Sequence, residues 1–483
     1  MNWLKNMYDK LEDSVNPIVV KELRQALQGK FITGTYLVFL AAMVLVLGFM
    51  IFSDLERIGN SATGKDIFQV IFYLLIFGCT FIIPIGTYRR LSSELSETDM
   101  ALYFVTTLKP QSIIIGKWMA SWIIALVLYT SAMPFLCFTY ILKGIDLPTI
   151  FFLLILGLIL VSVAILVSIF AACLPMVPSI KRIFDGIGGI FLVYAVIGCI
   201  AIFDDLIRSG VVNRISHFEG LMGLLTGLFA LFTFSRIIYL FSVALISPPA
   251  SNRSFTLRKN ITVLWFISFI ITWVWTYHST SDLLMVWFVI ICICITPTLP
   301  FIISERETWS NRIRKTIPAN PVKRFFSYIF YSGWAGGFLW ILMLFILTNL
   351  AVFLFGYFDS RLSFKSQHLL DTKNVFQGWV FFMIAYSLTA NLVRTTIFDS
   401  HFPRKTTWVF FLVLLFILSV FPTALGFMIF GRSINELTFL NPFMISDYKF
   451  KEEVYIVGAC WAAGAFLLSL PMIYRNYKSF KPL

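Results

Sequence analysis

One segment of the chain has the spacing of a nucleotide-binding loop. Gly59, Gly64 and Lys65 match the pattern G-x-x-x-x-G-K, in which backbone N–H groups surround the phosphates. Asp66, however, stands where serine or threonine would bind magnesium, and a carboxylate there repels phosphate. No strand-like segment precedes the match, so we interpret it as chance and expect this chain to bind no cofactor.

Residues that could form a catalytic or metal site are scattered. The seven cysteines lie in or beside apolar stretches, the four histidines lie on predicted loops and span ends, and no H-E-x-x-H pattern occurs. We therefore expect neither a metal site nor an enzyme. Arg236 is the one clear charge inside a predicted span, where an anionic substrate, a lipid headgroup, snorkelling or a tertiary hydrogen bond would each explain it. Asp185 and Arg394 lie near span ends, from which they are expected to reach the interface.

The elements that carry these residues are predicted to be membrane helices. Hydrophobic residues make up 59% of the 483 residues and charged residues 13%, against about 25% charged in soluble domains. Runs of about 20 apolar residues suit helices rather than barrel strands. Twelve such runs are present, at about residues 31–53, 67–87, 118–141, 147–174, 183–203, 219–246, 261–278, 282–303, 326–357, 376–393, 407–430 and 454–474. We predict an all-α polytopic membrane protein with about twelve transmembrane helices.

The positive charges predict the orientation of these helices. About two thirds of the 38 lysine and arginine residues lie on alternate connecting segments that include both termini, which the positive-inside rule assigns to the cytoplasm. We expect a multi-pass protein of a cell membrane, a bacterial inner membrane by preference. The net charge of +13 is explained by a basic inner face that meets anionic lipid, so no nucleic-acid partner is needed.

Three regions are predicted along the chain. Residues 1–30 form a cytoplasmic segment, 31–246 a first six-helix bundle and 247–483 a second. Similar acidic, basic and proline-bearing stretches follow the second and eighth spans, which suggests a repeat. True duplication and convergent membrane composition explain this likeness equally well.

Residues 16–31 (NPIVVKELRQALQGKF) predict an amphipathic helix in the membrane surface. Asn16 suits the cap and Pro17 the first turn. The predicted apolar face comprises Val19, Val20, Leu23, Ala26, Leu27 and Phe31, and the predicted polar face Lys21, Glu22, Arg24, Gln25 and Gln28. The helix is either a passive anchor or an elbow that couples the first span to a cytoplasmic partner.

Residues 94–117 (ELSETDMALYFVTTLKPQSIIIGK) predict a cytoplasmic connection between the second and third spans. Three carboxylates open it, a short helical stretch follows, and Lys109-Pro110 breaks the chain before the next helix begins. A short helix between turns is a shape that a soluble partner can bind, although an ordinary connecting loop is the alternative.

These two segments together resemble the permease subunits of type-2 ABC exporters. The likeness covers about residues 16–145, with Asp99 where the family often has glycine; six spans are usual in that family. It implies an elbow helix that includes Pro17, Lys21, Glu22, Leu23 and Arg24. It also implies an ATPase-docking loop that includes Glu97, Thr98, Leu102, Thr106, Thr107, Leu108, Pro110, Gly116 and Lys117.

The resemblance implies a function driven by a partner. A separate ABC ATPase would bind ATP and magnesium, and this chain would bind membrane lipids and pair with itself or with a second permease. If the repeat is real, residues 304–324 form a second docking loop that includes Glu305, Glu307, Arg312 and Pro318; a basic segment that only anchors the topology is the alternative. A scaffold subunit that transports nothing and an ATP-independent carrier or lipid flippase remain alternative functions for the whole chain.

Overall fold

Every regular element that the structure describes is a helix. In this computed structural model the described residues are 16–53, 61–95, 109–142, 145–174, 178–210, 218–248, 251–278, 282–305, 307, 309–358, 367–398, 406–422, 424, 428, 440–442 and 451–482. No strand occurs among them. The prediction of an all-α polytopic membrane protein is therefore confirmed.

The described chain forms two compact units, Met1–Pro248 and Pro249–Leu483. The division falls close to the predicted boundary between residues 246 and 247. Helices of the first unit are α1 Pro17–Gln28, α2 Lys30–Ser53, α3 Ser61–Phe77, α4 Ile83–Glu94, α5 Pro110–Ile141, α6 Leu147–Cys173, α7 Pro178–Ser209 and α8 Phe218–Ile246. Helices of the second unit are α9 Arg253–His278, α10 Asp282–Ile303, α11 Asn311–Arg314, α12 Pro321–Phe330, α13 Trp334–Phe358, α14 Gln367–Ile397, α15 Thr407–Leu415 and α16 Lys451–Ser479.

Eleven helices of the described chain are long and apolar enough to cross a membrane. They are α2, α3 with α4 as one continuous span, α5 to α10, α13, α14 and α16. The twelfth predicted span, residues 407–430, is described as a shorter apolar helix, Thr407–Val420. The predicted total of twelve therefore stays a prediction.

Helices α3 and α4 are joined by a wide, π-helical turn, Gly78–Ile82. Pro84 is the second residue of α4; it lacks an N–H group and its ring would clash with the carbonyl one turn earlier in a regular helix. A single π turn allows the chain to continue in the same direction past such a residue. The second span therefore contains a local irregularity near its middle.

Aromatic and aliphatic side chains fill the core of the first unit. Phe72 packs edge-on against Phe203 with ring centroids 4.9 Å apart. Gly157 on α6 permits a close approach, because a Cβ there would lie 2.7 Å from both Ile76 Cδ1 and the Tyr129 hydroxyl. This packing holds α3, α5, α6 and α7 together.

The core of the second unit is built mainly around α14 and α16. Tyr386 meets Trp461 edge-on with ring centroids 4.8 Å apart, and Gly458 leaves room for the Phe382 ring.

The predicted span at residues 326–357 is wrong at its start. An amphipathic helix, α12, ends at Phe330, and the membrane helix α13 begins at Trp334.

Candidate functional site

A buried lysine joins three elements of the first unit. Lys117 on α5 donates from Nζ to Glu22 Oε1 of α1 at 2.6 Å and to Glu94 Oε2, the last residue of α4, at 2.7 Å. Lys117 is 3% and Glu22 4% exposed. We call these three residues the Lys117 clamp. A buried charge is tolerated only when it is paired and hydrogen-bonded, so this clamp fixes the three elements relative to one another.

Close backbone approach brings α1 against α5 beside the clamp. Asn16 caps α1 by accepting a hydrogen bond from the Ile18 N–H at 3.1 Å, and its Nδ2 donates to the Ser112 carbonyl at 2.7 Å. A Cβ on Gly116 would lie 2.8 Å from Ile18 Cβ, a distance too short for real side chains. Glycine at position 116 is thus required for this packing.

The clamp lies at both ends of the predicted docking loop. Glu97, Thr98, Leu102, Thr106, Thr107 and Leu108 fall outside the described residues. Pro110, Gly116 and Lys117 lie in the first turns of α5, which begins at Pro110 as the Lys109-Pro110 break predicted. Glu94 ends the helix before the loop, so a single ammonium group holds the entry and the exit of the loop.

One residue of the elbow helix lies on a different side from the one predicted. Val19 and Ala26 of the apolar face are buried against the protein, and Val20 and Leu27 of the same face are 37% and 67% exposed, as suits side chains that meet lipid. Glu22, assigned to the polar face, is buried against Lys117, whereas Lys21 and Arg24 are exposed and Leu23 is half-buried. The helix packs its buried side on α5 because the lysine neutralises the one carboxylate on that side.

The second unit contains a comparable buried cation. Arg258, one turn into α9 and 1% exposed, binds Glu305 Oε2 at 2.5 Å through Nη2. The same guanidinium donates to the carbonyls of Ile329 at 3.1 Å, Tyr331 at 2.5 Å and Gly333 at 3.1 Å. A planar guanidinium has donors enough for all four acceptors, so Arg258 holds the end of α12 and the link into α13.

The four residues of the predicted second docking loop are placed differently from one another. Glu305 pairs with Arg258 and also accepts from the Ser254 hydroxyl. Glu307 accepts from the Ala335 N–H at 3.0 Å and so caps α13. Pro318 is half-buried, and Arg312 alone of the four is exposed. Both carboxylates thus serve the fold of this unit.

Sequence reasoning missed α12 as a separate element. Asn320 caps it by accepting from the Val322 N–H at 3.0 Å, as Asn16 caps α1, and Pro321 occupies the position that Pro17 takes in α1. The Asn-Pro pair is the signal that could have identified this helix. Val322 and Phe326 are exposed on α12, whereas Tyr328 is buried. Burial raises the pKa of the Tyr328 phenol well above its usual range and keeps the phenol protonated.

Of the two predicted charges that the structure describes, one is placed otherwise than expected. Arg394 was expected to reach the interface but is 1% exposed in the last turn of α14. Arg236 lies inside the membrane helix α8, as predicted; it is half-buried, and its guanidinium lies 5.4 Å from the centre of the Tyr239 ring on its own helix. A cation over an aromatic face is stabilised by that ring.

The nucleotide-loop match has no loop geometry. Gly64 and Lys65 lie in α3, which begins at Ser61, so their backbone belongs to a helix rather than to a turn around phosphate.

Paired buried charges thus lie at helix ends in each unit of this multi-pass membrane protein. Comparisons of this chain with known protein families, with curated proteins and with solved structures found no match.

Proposed function

We propose that this chain is the membrane-spanning permease subunit of an ATP-driven exporter of the ABC type, coupled through cytoplasmic loops to a separate ATPase. The observation that supports this best is the Lys117 clamp, because it ties the elbow helix and both ends of the predicted docking loop together with one buried ammonium group. A loop anchored in this way suits the transfer of force from a soluble partner to the membrane helices.

The route of that force follows from the packing. Pressure on residues 97–108 would act on Glu94 and Lys117 together, and so on α4, α5 and α1 as one body. Buried hydroxyls of Thr87 and Ser121, 2.7 Å apart, join α4 to α5 one layer deeper in the same helix pair. The π turn at Gly78–Ile82 is the first irregular point beyond them, and it is there that we expect the second span to bend.

The described charges favour this proposal over an ion-coupled carrier. A carrier needs ionisable groups that change partners near the middle of the membrane. Asp204, on the apolar helix α7, lies near its end and is already bound by Arg208 at 2.8 Å, Gln69 at 3.1 Å and Tyr73 at 3.3 Å. A carboxylate held by three partners is suited to a fixed structural role.

Stimulation of a partner ATPase tests the proposal. The purified chain is expected to carry an ATPase with it, and the double variant Glu97→Ala/Leu102→Ala is expected to abolish stimulation of that ATPase in liposomes. The matched control is Leu55→Ala/Glu56→Ala, which removes the same residue types from a loop predicted on the other side of the membrane. Full stimulation in the first variant, or substrate movement that persists without ATP, would contradict the proposal and favour a scaffold or a carrier.

A further inference from the structure

A cavity of about 300 Å³ lies in the first unit, where the link from α1 to α2 meets α4 and α5. Its walls are mainly aliphatic and aromatic, with Leu27 and Tyr36 on one side, Ile83 on α4 and Leu128 on α5. Arg90 is the one charged residue that lines it in the part of the chain that the structure describes. A predominantly apolar site with a single well-placed charge is typical of pockets that bind amphiphilic ligands.

The guanidinium of Arg90 has unused hydrogen-bonding capacity. Its Nε donates to the Gly86 carbonyl at 3.2 Å, but its Nη1 is buried and has no hydrogen-bond partner among the described residues. The carboxylates of Glu22 and Glu94 attract the Arg90 charge, but both hydrogen-bond to Lys117. A buried donor without an acceptor is unfavourable, so a ligand oxygen at this point would be stabilising.

The local charges leave one positive charge for that ligand. Lys117 and Lys21, the latter 3.6 Å from Glu94, balance the two carboxylates Glu22 and Glu94. Arg90 is the remaining charge of the group. Phosphate is the anion that a guanidinium binds best, through two parallel N–H···O hydrogen bonds.

The position of the cavity identifies the source of the phosphate. Leu27 at the end of α1 lines it and is 67% exposed, and Leu37 and Val38 on the following membrane helix α2 are 61% and 70% exposed. Apolar side chains so exposed on a membrane helix face lipid, so the cavity opens toward the bilayer. Basic pockets between membrane helices bind the headgroups of anionic lipids.

We propose that this cavity binds one anionic phospholipid, with its phosphate on Arg90 and an acyl chain between α2, α4 and α5. The lipid would fill the space beside the π turn, and so support the same helix pair that the Lys117 clamp joins at its end. The proposal is independent of any ATPase. It concerns only this chain and the membrane around it.

Native mass spectrometry of the full chain in detergent tests the proposal, with phosphatidylglycerol and phosphatidylcholine as the two probes. We expect one phosphatidylglycerol molecule to be retained in preference to phosphatidylcholine. Arg90→Gln should weaken this retention by roughly tenfold, as expected for the loss of a charge-assisted hydrogen bond. The matched control Arg89→Gln, an exposed neighbour on the same helix, should leave retention unchanged.

Two further arms keep the test decisive. Val127→Phe places a larger side chain against the cavity with Arg90 intact, and is expected to release the bound lipid even if Arg90→Gln does not fold. Excess inorganic phosphate is expected to leave the lipid bound, because free phosphate has no acyl chain. Equal retention of both lipids, retention unaffected by Arg90→Gln and Val127→Phe, or displacement by phosphate would overturn the proposal. Since no ATPase is present, none of these results bears on the proposed exporter function.

Discussion

Lys117 carries one charge that two carboxylates share, and Glu22 is the more buried of them, with its side chain 5% exposed against 24% for Glu94. Lys117→Met would leave Glu22 buried and unpaired. Breaking a buried ion pair costs roughly 3–5 kcal/mol. We expect a correspondingly large fall in the thermal unfolding midpoint of the detergent-solubilised protein, measured by tryptophan fluorescence.

The control for this prediction is Lys21→Met. Lys21 lies 3.6 Å from Glu94 with its side chain 53% exposed, and surface ion pairs of this kind contribute about 1 kcal/mol or less. Lys117→Met/Glu22→Gln should recover part of the stability, because it removes the unpaired buried charge. If Lys117→Met and Lys21→Met melt alike, the clamp does not stabilise the first unit.

Gly116 and Gly48 should respond to the same substitution with opposite signs. Alanine in an open helix position stabilises by roughly 0.5–1 kcal/mol relative to glycine, and a Cβ at Gly48 meets nothing within 4 Å. A Cβ at Gly116 collides with Ile18, so α1 must move away from α5. Overpacking of this kind costs typically about 1–3 kcal/mol.

Unfolding midpoints of Gly116→Ala and Gly48→Ala, measured side by side, test this contrast. We expect the first to fall and the second to rise or stay unchanged. A stabilised Gly116→Ala protein would mean that α1 is not packed on α5 as described.

At this scale the sequence could predict the residues of the elbow helix but not their surroundings. Asn16 as cap and Pro17 in the first turn follow from local chemistry, and both are confirmed. Glu22 was assigned to the polar face because helical periodicity depends only on the residues of the helix itself. Its partner, Lys117, lies 95 residues further along the chain, and only the folded structure brings the two together.

The elements that surround these residues differ in how far their own sequence specifies them. Helix α12 is held at its end by the Arg258 side chain from another helix, through one backbone carbonyl in its last turn and two in the link to α13. Arg258→Met would leave these carbonyls without the donor they share, and Glu305 with the Ser254 hydroxyl but without its buried cation. We expect α12 and the segment before it to detach, so that trypsin cleaves faster at Arg312, Arg314 and Lys315.

Limited proteolysis against the neighbouring variant Lys259→Met checks this prediction. Lys259 is exposed, so its loss should leave the cleavage rate unchanged. Arg258→Lys should resemble Arg258→Met, because a single ammonium group cannot replace a planar fork with five donors. Protection as strong as in the unmodified chain would show that α12 is held by its apolar contacts alone.

Sequence periodicity identified α1 and overlooked α12 for a physical reason. The cap residue Asn16 begins α1 and Gly29 ends it, so its limits stand out. Few polar residues separate α12 from the apolar start of α13, so a hydropathy pattern merges the two helices into one. Only Asn320 and Pro321 mark the beginning, by the same cap chemistry that begins α1.

For the molecule as a whole, composition alone was sufficient to predict the class. A chain with 59% hydrophobic residues and apolar runs near 20 residues can satisfy its backbone in lipid only as helices, and eleven such helices are described. The start of α5 at Pro110 follows from the Lys109-Pro110 break, whereas the burial of Lys117 inside that helix depends on tertiary contacts with Glu22 and Glu94.

We propose that work reaches these helices from a soluble ATPase bound to the connection between the second and third spans. Photo-crosslinking in cells tests it most directly, with a photoreactive phenylalanine analogue in place of Leu102 and, as the matched control, in place of Leu55. We predict a crosslinked species that contains an ATPase at position 102 and none at position 55. An ATPase captured at position 55 alone, or labelling of position 102 from the external side of intact cells, would contradict the account.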